Sequence, residues 1–217
     1  MNRLREVLVV ILVFAATGCA GASGDRATYT FDPPHGLVDV DTPELRAAKS
    51  AAGIEECPAS SAAASTTDPP LPGIVLPCLG GGLDVNLAGL AGKADAPLVV
   101  NFWAQYCSPC RKEAPLFEEV HQAIGEKVNV IGIDFQDPQP GKAIAMADEL
   151  NLTYPQLADP AGASRAALGL VGLPATAFVT ESGRIAHIEL REIKTLQDLT
   201  GLIEAHLDVR VPVIPSR

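Results

Sequence analysis

The chain has 217 residues; 26 Asp and Glu stand against 16 Lys and Arg, for a formal net charge of -10. An acidic chain lacks the basic face that phosphate binding requires, which excludes nucleic acid as a partner. Its 47% hydrophobic content is enough for one well-filled core with extensions.

Residues 1–18 read as a lipoprotein signal peptide. Arg3 and Arg5 precede an apolar run from Val7 to Ala16, too short for the roughly 20 residues of a membrane-spanning helix, and small residues lead up to Cys19. The ending is similar to a bacterial lipobox, although Ala16 stands where Leu is usual, and this implies lipid on Cys19. Ordinary signal cleavage and an uncleaved anchor are the alternatives; each exports the rest of the chain, to the outer face of the cell membrane if Cys19 is lipidated. Residues 19–70 are then a tether and N-terminal extension. Within them Thr42 caps and Pro43 starts a short helix on which Leu45, Lys49 and Ala52 share a face. The low-complexity stretch Pro58–Gly73 reads as a loop.

From about Ile74 the pattern becomes that of alternating strands and helices. IVLPCLGGG and LDVNLAGL predict a short hairpin, and APLVVNFWA a strand buried on both faces. Pro109 to about Ile124 predicts a helix, kinked at Pro115. VNVIGIDF is a second buried strand, GKAIAMADELNL a helix, YPQLAD a short strand or turn and GASRAALGL a helical turn or two. ATAFVTESGRIAHIEL alternates around a turn and predicts a hairpin, and TLQDLTGLIEAHL is the last helix. His35, His121, His187 and His206 are scattered and read as surface residues.

Export bears on the cysteines. Without Cys19 there remain Cys57, Cys78, Cys107 and Cys110, which in an oxidising compartment allow three pairings. The two-residue spacing of Cys107 and Cys110 favours a local pair and leaves Cys57 with Cys78 as a structural disulfide. CSPC follows a buried strand and opens a helix. Cys107 there meets free N–H groups and the positive end of the helix dipole, which favour a thiolate. Such a thiolate attacks a disulfide, and Cys110 resolves the mixed disulfide.

The motifs VVNFWA, CSPCRKEAP, VIGIDFQD and LPATAFV, in this order, resemble the membrane-tethered TlpA/ResA/CcmG branch of thioredoxin-like thiol–disulfide oxidoreductases. The outer cysteines, in ECPASS and LPCLGGG, resemble those of exported actinobacterial members. The resemblance implies an α/β thioredoxin fold, a central mixed β-sheet flanked by helices, over residues 71–209, followed by a C-terminal tail at 210–217. It implies that Pro174 is cis and faces the active cysteines, that Leu173 and Pro174 offer backbone to a substrate strand, and that Trp103 packs near the dithiol and takes part in substrate binding; a plain core position is the other reading of Trp103. It also makes Glu113 a functional acid one helical turn beyond Cys110, since Asn101 stands where thioredoxins carry a buried Asp and cannot take a proton. A solvated helix carboxylate is the plainer reading of Glu113. Tyr106 and Gln105 replace the more usual Trp and small residue and alter the substrate face.

The expected activity is reduction of disulfides in exported proteins, with cytochrome c apoprotein as one substrate class, fed by a membrane electron donor. No metal or cofactor is expected. A zinc knuckle lacks a second CxxC or HxxxH, and a peroxidase would carry its reactive Cys in a Pro- and Thr-containing loop. The rivals are a disulfide-forming oxidase, and a metallochaperone or assembly factor that keeps the fold without turnover.

Overall fold

The computed structural model describes residues 38–60, 68–90 and 96–214. The signal peptide, Cys19, His35 and most of the tether lie outside the described residues. Helix α1, Pro43–Ala51, begins as its sequence dictates: Thr42 Oγ1 accepts the Leu45 N–H and Pro43 fills the first turn. Strands β1 (Val75–Leu76) and β2 (Val85–Asn86) form a two-stranded hairpin, followed by a 3-10 turn at Leu87–Gly89.

The main sheet has five strands in the order β5-β4-β3-β6-β7: β3 Leu98–Trp103, β4 Asn129–Phe135, β5 Gln156–Asp159, β6 Ala175–Val179 and β7 Ile185–Glu189. The β3–β4 and β4–β5 pairs are parallel, and β6 and β7 run antiparallel to their neighbours. Helices α2 (Ser108–Ile124), α3 (Pro140–Glu149), α4 (Ser164–Leu168) and α5 (Leu196–Leu207) complete it. This is the mixed sheet flanked by helices that the sequence implies.

Alternation along β3 divides the core. Val99 and Trp103 face a cluster that includes Cys110 and Phe117 of α2, Ile144 of α3 and Ile203 of α5. Leu98, Val100 and Phe102 face Leu71, Leu76, Val85 and Leu87 on the other side. Helix α2 runs uninterrupted through Pro115.

The packing crosses the expected domain limits. Upstream of residue 71, Val40, Ile54 and Cys57 are buried; downstream of 209, Val211 and Ile214 pack on the core and the Val211 N–H donates to Glu204. Residues 69–79, which join the extension to the domain, also pair with the sheet. Leu79 N–H donates to Gln156 O and Ala158 N–H to Pro77 O, while Leu71 N–H donates to Gly183 O and Ile185 N–H to Pro69 O. His187 and His206 are half-buried rather than on the surface, stacked on each other at 4.3 Å with Phe178 at 6.0 Å from both, and His121 meets Glu55 at 3.1 Å.

Candidate active site

Cys107 is the N-cap of α2, and its sulfur accepts the Cys110 N–H at 3.2 Å. The two cysteines are joined, with Cα atoms 5.3 Å apart. Cys107 keeps 8% of its surface exposed and Cys110 none. An incoming thiol or disulfide therefore meets Cys107, and the same N–H groups that cap the helix await a thiolate there.

Cys107 lies on the rim of a cleft of about 350 Å³ lined by Tyr106, Pro109, Phe135, Gln136, Arg165 and Leu173, among others. Tyr106 and, just beyond the cleft, Val171 are exposed large apolar side chains. Leu173 is half-buried, and the Leu173–Pro174 bond is cis, with Pro174 buried at the start of β6. Arg165 donates to Gln136 Oε1 at 2.7 Å and stands over the Phe135 ring; it is the one charged residue lining the cleft among the described residues.

Trp103 occupies another position than that of a substrate contact. It is fully buried, and its indole N–H donates to Gln156 Oε1 at 2.9 Å. It lies in the same core cluster as both cysteines, so it supports the dithiol from below. Gln156 is itself fixed by donation to Tyr154 O at 3.1 Å.

Glu113 is not a solvated carboxylate. It is 1% exposed, with Oε1 accepting from Asn101 Nδ2 at 3.0 Å and Oε2 from the Ile193 N–H at 2.9 Å. Burial raises its pKa from 4.5 to about 7 against the lowering effect of those two hydrogen bonds.

Sequence reasoning missed a second carboxyl pair. Asp134 pairs in register with Trp103, is buried, and is held well above the usual carboxylate range by desolvation and by Asp137. Asp137 accepts the Gln105 N–H at 3.1 Å and the Gln139 N–H at 2.8 Å, pinning the loop that carries Tyr106 and Cys107. The signal lay in IDFQD, where an acid interrupts an apolar strand. Arg165 was missed because GASRAALGL shows only a helical pattern.

The outer cysteines are joined as a Cys57–Cys78 disulfide with Cα atoms 5.8 Å apart.

Fold and site together define a thioredoxin-like thiol–disulfide oxidoreductase. The sequence pattern of the AhpC/TSA family matches residues 69–188, and the chain belongs to that family. It is similar to the thioredoxin-like protein YneN of Bacillus subtilis, 32% identical over 49% of this chain and 68% of YneN. It is also 37% identical to a thiol:disulfide interchange protein DsbE homolog of Paracoccus denitrificans, over 41% of this chain and 48% of that protein. Among solved structures it resembles a DsbF homologue from Corynebacterium diphtheriae, with 30% identity and a TM-score of 0.55 over 70% of this chain and 98% of the other. The chain thus spans two thirds of one of these relatives and about half of the other.

Proposed function

We propose that the chain reduces disulfides in exported proteins, cycling the Cys107–Cys110 pair between dithiol and disulfide. The observation that carries this reading is the sulfur pair at the helix N-terminus, with one sulfur open to the cleft and the other sealed above a buried acid. In the reduced enzyme Cys107 thiolate attacks a substrate disulfide, and the electron pair of the broken bond leaves on the substrate's first sulfur. Cys110 then attacks Cys107 within the mixed disulfide and releases the second substrate sulfur as a thiolate. Glu113, with a pKa near neutrality and one helical turn from Cys110, takes the Cys110 proton and makes it available to the departing thiolate.

Substrate lies in the cleft beside Cys107, extended along Leu173 and Pro174, its apolar side chains on Tyr106 and Val171. Arg165 favours a carboxylate near the substrate cysteine. The direction of reduction follows from the family resemblance and from Pro109 at the second intervening position. Cytochrome c apoprotein, whose two haem-binding cysteines can form such a disulfide, is the proposed substrate class. Lipid on Cys19 holds the enzyme at the outer face of the membrane, near a membrane donor that returns Cys107–Cys110 to the dithiol.

The test is the Cys110→Ser variant expressed in cells. It should accumulate a mixed disulfide through Cys107 with an exported cysteine-pair protein. A trapped partner found on Cys110 in Cys107→Ser, and none on Cys107 in Cys110→Ser, would reverse the roles. Cys19→Ala should release the protein from membranes or leave an unprocessed precursor.

A further inference from the structure

The Cys57–Cys78 disulfide sits at an apolar cluster with Leu71, Leu76 and Leu157, yet each of its sulfurs also has a polar neighbour. Its two sulfurs face opposite chemistry. Cys78 Sγ lies 3.3 Å from Lys49 Nζ, and Cys57 Sγ lies 3.3 Å from the carbonyl oxygen of Gln156. Lys49 is 3% exposed, and its ammonium also donates to Gly81 O at 2.9 Å and to Glu56 Oε2 at 2.8 Å. Asp41 and Arg46, paired with each other, line the same shallow cavity of about 370 Å³, with Gly80, Gly81 and Gly82 on its floor.

Burying an ammonium costs several kcal/mol before partners are counted. A covalent staple needs no such group, and Met or Leu would fill the space. An ammonium aimed at one sulfur does little for a disulfide, whose sulfur is a weak acceptor. It does much for a thiolate at the same place, through a charge-assisted hydrogen bond. The Gln156 carbonyl can do nothing for a thiolate but can accept the S–H of a thiol. The pocket is built for one thiolate and one thiol, on named atoms.

We propose that Cys57–Cys78 is a second redox centre, opened by a dithiol reductant, in which Cys78 leaves as a thiolate on Lys49 and Cys57 remains as a thiol on the Gln156 carbonyl. The reductant's thiolate attacks Cys57 Sγ; the Cys57–Cys78 bond breaks and its electron pair goes to Cys78 Sγ. The reductant's second thiol then attacks its own sulfur in the mixed disulfide, leaves as an intramolecular disulfide, and gives its proton to Cys57. One thiolate and one thiol in the reductant become one thiolate and one thiol in the protein. Attack is directed at Cys57 because Lys49 makes Cys78 the better leaving group. Opening frees the link between the segment after α1 and the hairpin, while the hydrogen bonds from Leu79 N–H to Gln156 O and from Ala158 N–H to Pro77 O, which hold the hairpin to β5, remain.

The experiment uses the full chain carrying Cys107→Ser and Cys110→Ser, so the outer pair is read alone and the result does not depend on the proposed reductase cycle. Dithiothreitol is titrated, thiols are trapped by alkylation and assigned by peptide mass, and circular dichroism follows the fold. The pair should open reversibly with the native signal retained, and Lys49→Met should make opening about tenfold less favourable, the change that one unit of thiol pKa makes. With Cys57→Ser added, Cys78 should alkylate with a pKa below the ~8.5 of a free cysteine. Glu56→Gln removes a carboxylate that is 80% exposed, so the fold is kept, and leaves the ammonium to the sulfur; the Cys78 pKa should fall further. Opening only where the native signal is lost, or Cys78 titrating at or above ~8.5, overturns the proposal. If Lys49→Met does not fold, an unchanged or raised Cys78 pKa in Glu56→Gln overturns it equally.

Discussion

Asn101 Nδ2 donates to Glu113 Oε1 at 3.0 Å, while Asn101 Oδ1 is buried with no partner among the described residues. The pair can therefore serve both protonation states of the acid. A carboxylate accepts from the amide N–H; a carboxylic acid can donate to the free amide oxygen once the amide turns over. An Asp at this position would add a second charge and lose that adaptability.

Glu113 should add a distinct step to the pH dependence of the oxidised protein, beside that of Asp134. Its folded pKa of about 7 lies above the ordinary 4.5, so the folded state holds the proton more tightly than the unfolded chain. Its contribution to stability is full below pH 4.5, is lost as pH rises to about 7, and is constant beyond. The slope between is at most about 1.4 kcal/mol per pH unit. Urea unfolding at a series of pH values should show this window in the parent and a flatter profile in Glu113→Gln. The same variant should slow substrate reduction and shift its pH–rate profile; superimposable profiles would remove Glu113 from the cycle.

Asn101→Leu deletes a donor to the Glu113 carboxylate at nearly constant volume. The carboxyl should then titrate above about 7, and the arm of the pH–rate curve it governs should move to higher pH. Carbon NMR of the labelled carboxyl reads this directly, and a fall in its pKa would contradict the assigned geometry.

Arg165→Gln should lower kcat/KM for disulfide peptides carrying Asp or Glu beside the cysteine by about threefold to tenfold, the size of a part-exposed charge contact. Peptides carrying Lys there should gain or stay level, and added salt should erase the difference in the parent. Equal losses for acidic and basic peptides would make Arg165 a support for Gln136 and Phe135 only.

Gly132→Ala should destabilise by about 1–3 kcal/mol, because a Cβ there overlaps Gln156 Oε1 and comes within 2.9 Å of Trp103 Nε1. Trp103→Phe leaves Gln156 Oε1 without its donor and should cost about 1–3 kcal/mol as well. Both variants are read by chemical denaturation. The double variant should cost less than the sum, since both changes act on one hydrogen bond.

The strand and helix order was legible because each element carries a local signal. β3 is a run of apolar residues interrupted only by Asn101, and α1 opens with Thr42 and Pro43. CSPC announced itself by spacing. What stayed hidden depended on partners distant in sequence. Lys49 was placed on the right helical face, yet nothing in its neighbourhood tells of Cys78, 29 residues on. Of the two readings of Trp103, substrate binding by resemblance and a plain core position, its full burial in the cluster of both cysteines favours the core, through a partner at Gln156 that no local pattern reports. The stack of His187 on His206 joins a strand to a helix across a turn, which no periodicity reports. The lipidation expected at Cys19 lies outside the described residues.

The backbone bonds from residues 69–71 and 77–79 fall at the two edges of the sheet, on the turn before β7 and its first residue through Gly183 and Ile185, and on β5 through Gln156 and Ala158. Outermost strands otherwise offer rows of free N–H and C=O groups to any extended chain nearby. If the clients are extended, cysteine-bearing polypeptides, as the proposed function has it, such chains meet the sheet at every turnover. With residues 77–79 already bonded along β5, that edge has few free backbone groups to offer a client, and pairing is steered away from it.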